Sequence, residues 1–382
     1  MEPRKFVAPE IVYGDGALSL VGRYARNFGA RKVLVVTDPG IVRSSWTTHV
    51  LRSLEAEGIP AAVFQDISPN PRESEVTAGV TCYEENGCDV IVAVGGGSPM
   101  DCAKGIGISH TNGRDVLEFE GVDEVPMPGP PLICIPTTAG TSADVSQFAI
   151  IADTTRRVKI AIISKTMVPD VSLIDPCTTT TMDPELTAAT GMDALVHAIE
   201  AYVSNASSRM TDLHARAAIP LLALNLVPAI KHPDDIAYRN EMMTGSLLAG
   251  LAFSNASLGL VHAMAHSMGG LLDLPHGLCN ALLLDHVIEF NYRAVPDRYD
   301  AIGEALGLNL CGMGDDDRLQ ALKDAIVTLR GHAGIHATIA DLGVTREDIP
   351  ILALTASMDP CLATNPRVAG VQDIERIFEN AL

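Results

Sequence analysis

The feature that most restricts what this chain can fold into is a change of texture at residues 175–185, DPCTTTTMDPE. Before it, short β-branched runs alternate with helical stretches. RKVLVVTD (31–38), AAVFQDI (61–67), CDVIVAVGGGS (88–98) and LICIPTT (132–138) each carry a continuous apolar run: VLVV, AAVF, VIVAV and LICIP. Helix-like segments lie between them at 44–58 and 73–86, and another begins near Pro99. Strands without polar alternation are buried on both faces, which is the signature of a parallel sheet covered by helices. After residue 184 strand signals nearly vanish. Ala- and Leu-rich segments follow at 184–203, 209–229, 237–254, 257–271 and 278–291, with more toward 330 and at 337–341 and 372–381. The reading is two domains, an α/β domain over 1–183 and an all-helical one over 184–382, and the length of 382 residues suits that number.

Composition narrows the partners. A formal net charge of −20 argues against nucleic acid and anionic membrane surfaces, because phosphate recognition wants clustered Lys and Arg. No uninterrupted apolar run reaches about 18 residues, so no transmembrane helix is expected. The opening MEPRKFVAPEIVYGDGA has no apolar signal-peptide region. The eight cysteines (82, 88, 102, 134, 177, 279, 311 and 361) contain no CxxC pair, which fits reduced thiols of a cytoplasmic protein better than a disulfide framework.

Two constellations carry chemistry. In VIVAVGGGSPMD (90–101) a strand runs through three glycines into a helix opened by Ser98 and Pro99. Glycines allow close backbone approach, and a helix N-terminus offers free N–H groups to a diphosphate. This is not the GxGxxG fingerprint, and a tight strand-to-helix turn would look the same. Two further features point to a nucleotide. Asp38 ends a strand in the first βα unit, where a carboxylate can bind ribose hydroxyls and repel a 2′-phosphate, favouring NAD over NADP; taken alone it reads more readily as a plain helix cap or turn residue. PTTAGTSADV (136–145) is a hydroxyl-rich loop just after a strand, able to wrap a phosphate or ribose and on its own equally a polar turn.

The second constellation lies in the helical half. GMDALVHAIE (191–200) puts Asp193 and His197 four residues apart on one apolar helical face. LGLVHAMAHSMGG (258–270) repeats the spacing with His262 and His266, and His276 follows Pro275 in a turn. Charged groups on an apolar face are costly unless paired or metal-bound. A hydrogen-bonded Asp–His pair would satisfy part of this set. One carboxylate with three imidazoles suits a divalent ion such as Fe2+ or Zn2+.

Taken together, GGGSPMDCAK (95–104), PTTAGTSADV, GMDALVHAIEAYVS (191–204), and GLVHAMAHSMGG (259–270) followed by PHG resemble the iron-containing (type III) alcohol dehydrogenases, and the resemblance continues to TNPR (364–367) and VQDIERIF. It implies an N-terminal Rossmann-like α/β domain plus an all-α C-terminal domain, the dehydroquinate synthase-like fold. It implies Asp193, His197, His262 and His276 as metal ligands, with Fe2+ the first choice of ion and Zn2+ the alternative. It implies His266 beside the nicotinamide as the group assisting proton transfer. NAD-binding positions fall on Asp38, Gly96, Gly97, Ser98, Thr137, Thr138 and Lys159, with Asp101 close by. DPCTTTTMDP departs from the family's more apolar interdomain segment. The implied reaction is hydride transfer between a small alcohol, diol or short substituted aldehyde and NAD(H), in a homodimer or larger homo-oligomer. A dehydroquinate synthase-like lyase would need basic residues near the histidine motifs, and few are there. A metal- and nucleotide-binding sensor is the non-catalytic alternative.

Overall fold

The computed structural model describes residues 4–382. They form two compact units, one spanning Val7–Met182 and the other Asp183–Leu382 together with residues 4–6. The short N-terminal piece belongs with the helical unit because Arg4 donates to Asn205 O and the Phe6 ring stacks on His214. The sequence offers no sign of that docking.

The first unit is built on a six-stranded sheet. Its strands are β1 (Glu10–Tyr13), β2 (Val33–Val36), β3 (Ala61–Phe64), β4 (Val90–Gly95), β6 (Leu132–Pro136) and β9 (Val171–Ile174), in the order β1-β9-β6-β4-β2-β3, all parallel. The helices α1 (Val21–Asn27), α2 (Pro39–Arg43), α3 (Trp46–Ala56), α4 (Glu73–Glu85) and α5 (Gly97–Asn112) connect them. The apolar runs are explained by two-sided burial. Val33, Val35, Val92, Val94, Ile133 and Ile135 face a core layer with Val21, Val50 and Leu54. The alternate residues Leu34, Val36, Ile91, Ala93 and Cys134 face a second layer with Val76, Tyr83, Cys102 and Ile106. Each such buried branched side chain contributes roughly 1.5–3 kcal/mol relative to exposure.

Strand order fixes where a ligand can bind. From β2 the chain moves outward to β3, then returns to the other flank of β2 as β4. That reversal opens a crevice beyond the carboxyl ends of β2 and β4. Asp38 and the Gly95–Gly97 loop follow those two strand ends. The helix after β4 starts at Gly97, two residues earlier than Pro99, with Gly96 as its N-cap residue.

A second sheet was not anticipated. β7 (Phe148–Asp153) and β8 (Val158–Ile163) form an antiparallel hairpin, and β5 (Gly121–Val122) adds to β8 in parallel. The turn is held by Asp153, which accepts from Thr155 N and Arg156 N, with Arg157 left-handed at φ 57°. RRVKIAII (156–163) therefore begins in a turn and continues as a strand.

The helical unit contains α6 (Pro184–Val203), α7 (Arg209–Lys231), α8 (Ile236–Ala256), α9 (Leu260–Leu272), α10 (His276–Asn291), α11 (Pro296–Ala305), α12 (Asp315–His332), α13 (Ile349–Met358) and α14 (Val371–Ala381). Asp183 caps α6 by accepting from Leu186 N, and Pro184 occupies the first turn, where no N–H is needed. By length and composition α7 could cross a membrane. In the structure one face of it is buried, with Ala215, Ile219, Leu222 and Leu226 enclosed and α6 and α8 packed beside it, while Leu213 and Leu224 are exposed.

Residues 337–341 form a turn rather than a helix. His276 also differs from expectation, because it is the first residue of α10, with Pro275 as the N-cap. Gly277 makes that entry feasible: a Cβ there would lie 2.5 Å from the carbonyl oxygen of Ala189 on α6. Only glycine lets α10 start hard against α6, and this closeness brings His276 to Asp193.

Candidate metal centre and nucleotide site

The buried face of α6 carries Asp193 and His197, both almost fully enclosed. α9 brings His262 and His266, and the first turn of α10 brings His276. Asp193 Oδ1 lies 3.8 Å from His197 Nε2, 3.7 Å from His262 Nε2 and 3.8 Å from His276 Nε2. An ion held at about 2.0–2.2 Å by N and O ligands puts tetrahedral neighbours about 3.3–3.6 Å apart. The separations match within a few tenths of an ångström, and the donors are those a borderline divalent ion takes. Asp193, His262 and His276 offer ligand atoms that all lie within 4.8 Å of one another, and His197 Nε2 stands beside the same carboxylate oxygen; this donor set fits a metal ion.

Electrostatics favour an ionised carboxylate at the centre of the cluster. Burial alone would raise the Asp193 pKa, but the imidazoles of His197, His262 and His276 override it and hold the carboxyl far below its usual range. For His262 burial works to lower the pKa, while Asp193 and Glu200 push it up to about 9. The carboxylate is thus in the state a cation requires, whereas His262 holds a proton that a bound ion would have to displace, because a metal takes its imidazoles neutral.

Two carboxylates behind the cluster were not singled out from the sequence. Glu200 accepts from Val261 N at 2.7 Å with one oxygen and meets His262 Nδ1 at 2.6 Å with the other. A carboxylate on one imidazole nitrogen fixes the tautomer and aims the other nitrogen at the ion. Glu200 was legible in principle: it closes GMDALVHAIE, seven residues after Asp193, on the same buried face of α6. Asp359 meets His266 Nδ1 at 2.8 Å. Burial raises the Asp359 pKa, but His266 outweighs it and the carboxyl is held below its ordinary value. Asp359 had no local signal, since 93 residues separate it from His266. The His266 ring lies flat against His276, with centroids 5.2 Å apart.

A third such residue is Asn280, one turn into α10. Its Nδ2 lies 2.6 Å from Asp193 Oδ1 and 3.1 Å from both His262 Nε2 and His276 Nε2.

In the α/β unit, Asp38, Gly96, Gly97, Ser98, Thr137 and Thr138 follow the ends of β2, β4 and β6, whereas Asp101 lies within α5 and Lys159 on β8 of the second sheet. Asp38 Oδ1 caps α2 by accepting from Gly40 N at 2.7 Å and Ile41 N at 3.1 Å, so the capping reading holds for that oxygen. Asp38 Oδ2 lies 3.4 Å from where a Cβ on Gly95 would sit. Gly95 has φ +153°, and its Cβ would strike Pro99 Cγ at 2.7 Å. Cβ atoms on Gly96 and Gly97 would press on Thr138 and Thr141 at 3.2 and 3.0 Å. The loop after β4 is thus packed against the hydroxyl-rich loop after β6.

The hydroxyls of Thr137 and Thr138 are enclosed with no hydrogen-bond partner among the described residues. Enclosed orphan hydroxyls beside a helix N-terminus fit the phosphate or ribose of a nucleotide. The other positions have internal roles. Ser98 Oγ donates to Pro69 O, and Lys159 Nζ donates to Asn70 Oδ1 at 2.7 Å. Asp101 Oδ2 accepts from Ile150 N at 3.1 Å, tying α5 to β7. Loss of solvent pushes the Asp101 pKa up to about 6, against the opposing pull of Lys104, the Ile150 N–H and Lys159.

Comparison with known proteins gives concordant matches. Residues 8–176 match the model of iron-containing alcohol dehydrogenase, and residues 187–382 match that of the Fe-containing alcohol dehydrogenase family, C-terminal. The chain is 40% identical over 379 residues to a 1,3-propanediol dehydrogenase of Klebsiella pneumoniae, covering 98% of each. It is 39% identical over 380 residues to an NAD-dependent methanol dehydrogenase of Bacillus methanolicus, covering 99% of each. Among solved structures, an alcohol dehydrogenase from Oenococcus oeni superposes with a TM-score of 0.96 at 36% identity, covering 100% of both chains.

Proposed function

This chain belongs to the iron-containing alcohol dehydrogenase family and is an oxidoreductase acting on alcohols, and from that footing we propose that it interconverts small primary alcohols or diols and their aldehydes with NAD(H), using Fe2+ held by Asp193, His197, His262 and His276. The observation that carries the reading is the convergence of three imidazole nitrogens within 3.8 Å of one buried carboxylate oxygen. The choice of NAD is supported by the Asp38 carboxylate, which disfavours a 2′-phosphate, and by the name of the methanol dehydrogenase relative. The substrate class is supported by the relatives named for methanol and 1,3-propanediol, and by a lactaldehyde reductase of Escherichia coli at 37% identity.

When bound, the ion supplies Lewis-acid activation of the substrate oxygen and the nicotinamide supplies the hydride acceptor or donor. The chain's own groups do the rest. Asp193 and the three imidazoles orient the substrate by holding the ion. Glu200 keeps the His262 lone pair aimed at it. Asp359 engages His266 at Nδ1, leaving Nε2 to accept a proton from the alcohol or return one to the aldehyde. Backbone N–H groups at the start of α5, the glycines before it, and Thr137 and Thr138 hold the cofactor.

The test is elemental analysis of purified protein, with NADH absorbance followed for methanol, 1,2- and 1,3-propanediol and lactaldehyde before and after chelation. We expect about one metal per chain and turnover that chelation abolishes and Fe2+ restores. Turnover by metal-free protein would sink the assignment. Bound metal without turnover on any of these substrates would instead favour a sensor.

A further inference from the structure

The closing motif TNPR (364–367) takes no part in the two sites described above. In the helical unit it grips the corner where α8 ends and α9 begins, a bend of 97°. His262 stands in the first turn of α9, so whatever fixes that turn fixes the imidazole. The N-cap residue there is Gly259, which has no side chain to offer the free N–H groups. The caps come from far along the chain instead. Asn365 Oδ1 accepts from Leu260 N at 3.2 Å, and Glu200 Oε1 accepts from Val261 N at 2.7 Å. A Cβ on Gly259 would lie 2.9 Å from both oxygens, so glycine is what admits them. Thr364 Oγ1 donates to Leu258 O at 2.6 Å and closes the corner.

Asn365 is itself tightly held. It is buried, and its Nδ2 donates to Asn291 Oδ1 at 2.8 Å and to Arg367 O at 2.6 Å. Its Oδ1 also accepts from Asn291 Nδ2 at 2.9 Å. A backbone N–H on one side and a backbone carbonyl on the other leave the amide one orientation. Asn291 is the last residue of α10, so this reciprocal amide pair ties the start of α9 to the helix that carries His276. Upstream on the same segment Asp359 meets His266 Nδ1, and a 3-10 turn over Pro360–Thr364 joins the two. One short segment therefore reaches both histidine-bearing turns of α9.

We propose that residues 359–367 form a single clasp that sets the height and rotation of α9, and that Asn365 is the positioning residue for His262 as Asp359 is for His266. This rests on the metal assignment above: the clasp fixes how the imidazole that holds the ion stands relative to the one that moves the proton. Asn365 acts through the backbone N–H of Leu260. Loss of its amide frees the first turn of α9 to shift, and His262 Nε2 then leaves its place 3.7 Å from Asp193 Oδ1. A side chain that only added stability would leave that distance unchanged.

The experiment loads the full-length protein with Co2+, whose visible absorption reports the arrangement of its ligands, and compares N365A with R367A. Arg367 belongs to the same motif, lies over the Phe290 ring and donates to Phe290 O at 2.7 Å, but its side chain does not cap α9. N365A should bind Co2+ about 10- to 100-fold more weakly by chelator competition, the range for a partner behind a ligand. Its Co2+ bands should shift and kcat should fall, with NADH affinity unchanged. R367A should lose thermal stability and keep wild-type Co2+ affinity and bands. The proposal falls if N365A loses only thermal stability, or if R367A weakens Co2+ binding as much. Wild type that binds no Co2+ would remove the metal assignment itself, and the proposal with it. Should N365A not fold, N365S carries the test, since its hydroxyl is too short to reach Leu260 N. Weaker Co2+ binding with shifted bands then supports the clasp, and wild-type affinity and bands overturn it.

Discussion

The glycine loop after β4, proposed to take the nucleotide, and the imidazole cluster of α6, α9 and α10 are specified in opposite ways. The loop works through backbone: three glycines, a helix N-terminus and the hydroxyls of Thr137 and Thr138. What it cannot tolerate is added atoms, since a Cβ at Gly95 would lie 2.7 Å from Pro99. The cluster works through side chains, two of them held by a carboxylate behind: Glu200 behind His262, and Asp359 behind His266. What it cannot tolerate is lost atoms, because every removed partner leaves a buried polar group unpaired. One site is defined by room, the other by identity.

The sharpest test of this contrast is Asp193→Ala. We expect metal affinity to fall by more than about 100-fold, beyond the range for an outer partner, and turnover to vanish. Metal content after gel filtration and NADH-coupled rates read both, and a variant that keeps its metal would break the contrast. Glu200→Gln should be milder. It leaves the ligand set intact but offers His262 Nδ1 either a neutral acceptor or an N–H donor. Chelator competition should show about a 10- to 100-fold loss of affinity, with NADH binding unchanged.

Gly95→Ala probes the other region. With φ +153° and the Pro99 contact, it should lower unfolding free energy by about 1–3 kcal/mol and weaken NADH binding while metal content stays the same. Denaturant unfolding and NADH fluorescence titration measure the two effects. If alanine fits without loss, the loop is not defined by room.

A further test concerns pH. Asp101 has its pKa raised to about 6 from the ordinary 3.8, so its stabilising contribution is fully present below about pH 4 and lost as pH rises through 6. Asp101→Asn keeps an oxygen for Ile150 N–H but does not titrate. The difference in stability between wild type and variant should shift in the variant's favour from pH 4 to pH 6 and then level off. A difference that stays flat across that range would remove Asp101 as the source.

Much of this was legible along the chain, and for local reasons. Strands 33–36, 90–95 and 132–136 were readable because both faces are buried and every residue is apolar. The pairs Asp193–His197 and His262–His266 were readable because four residues make one helical turn. The hairpin of β7 and β8 was not, since VKIAII has no flanking turn pair of the usual hairpin type and its partner strand pairs through the Asp153 turn. His276 was read in a turn because Pro275 suggested one, whereas contact with α6 allows α10 to begin there.

The sequence by itself determined the two architectures, the glycine loop and the residue types available to hold a metal, because periodicity and composition act over a few neighbouring residues. Only the tertiary structure decided which of those residues meet. The Glu200–His262, Asp359–His266 and Asn280–Asp193 contacts join residues 62, 93 and 87 positions apart. Such contacts depend on how helices pack: on Gly277 letting α10 press against α6, and on the need to pair every charge that packing removes from water.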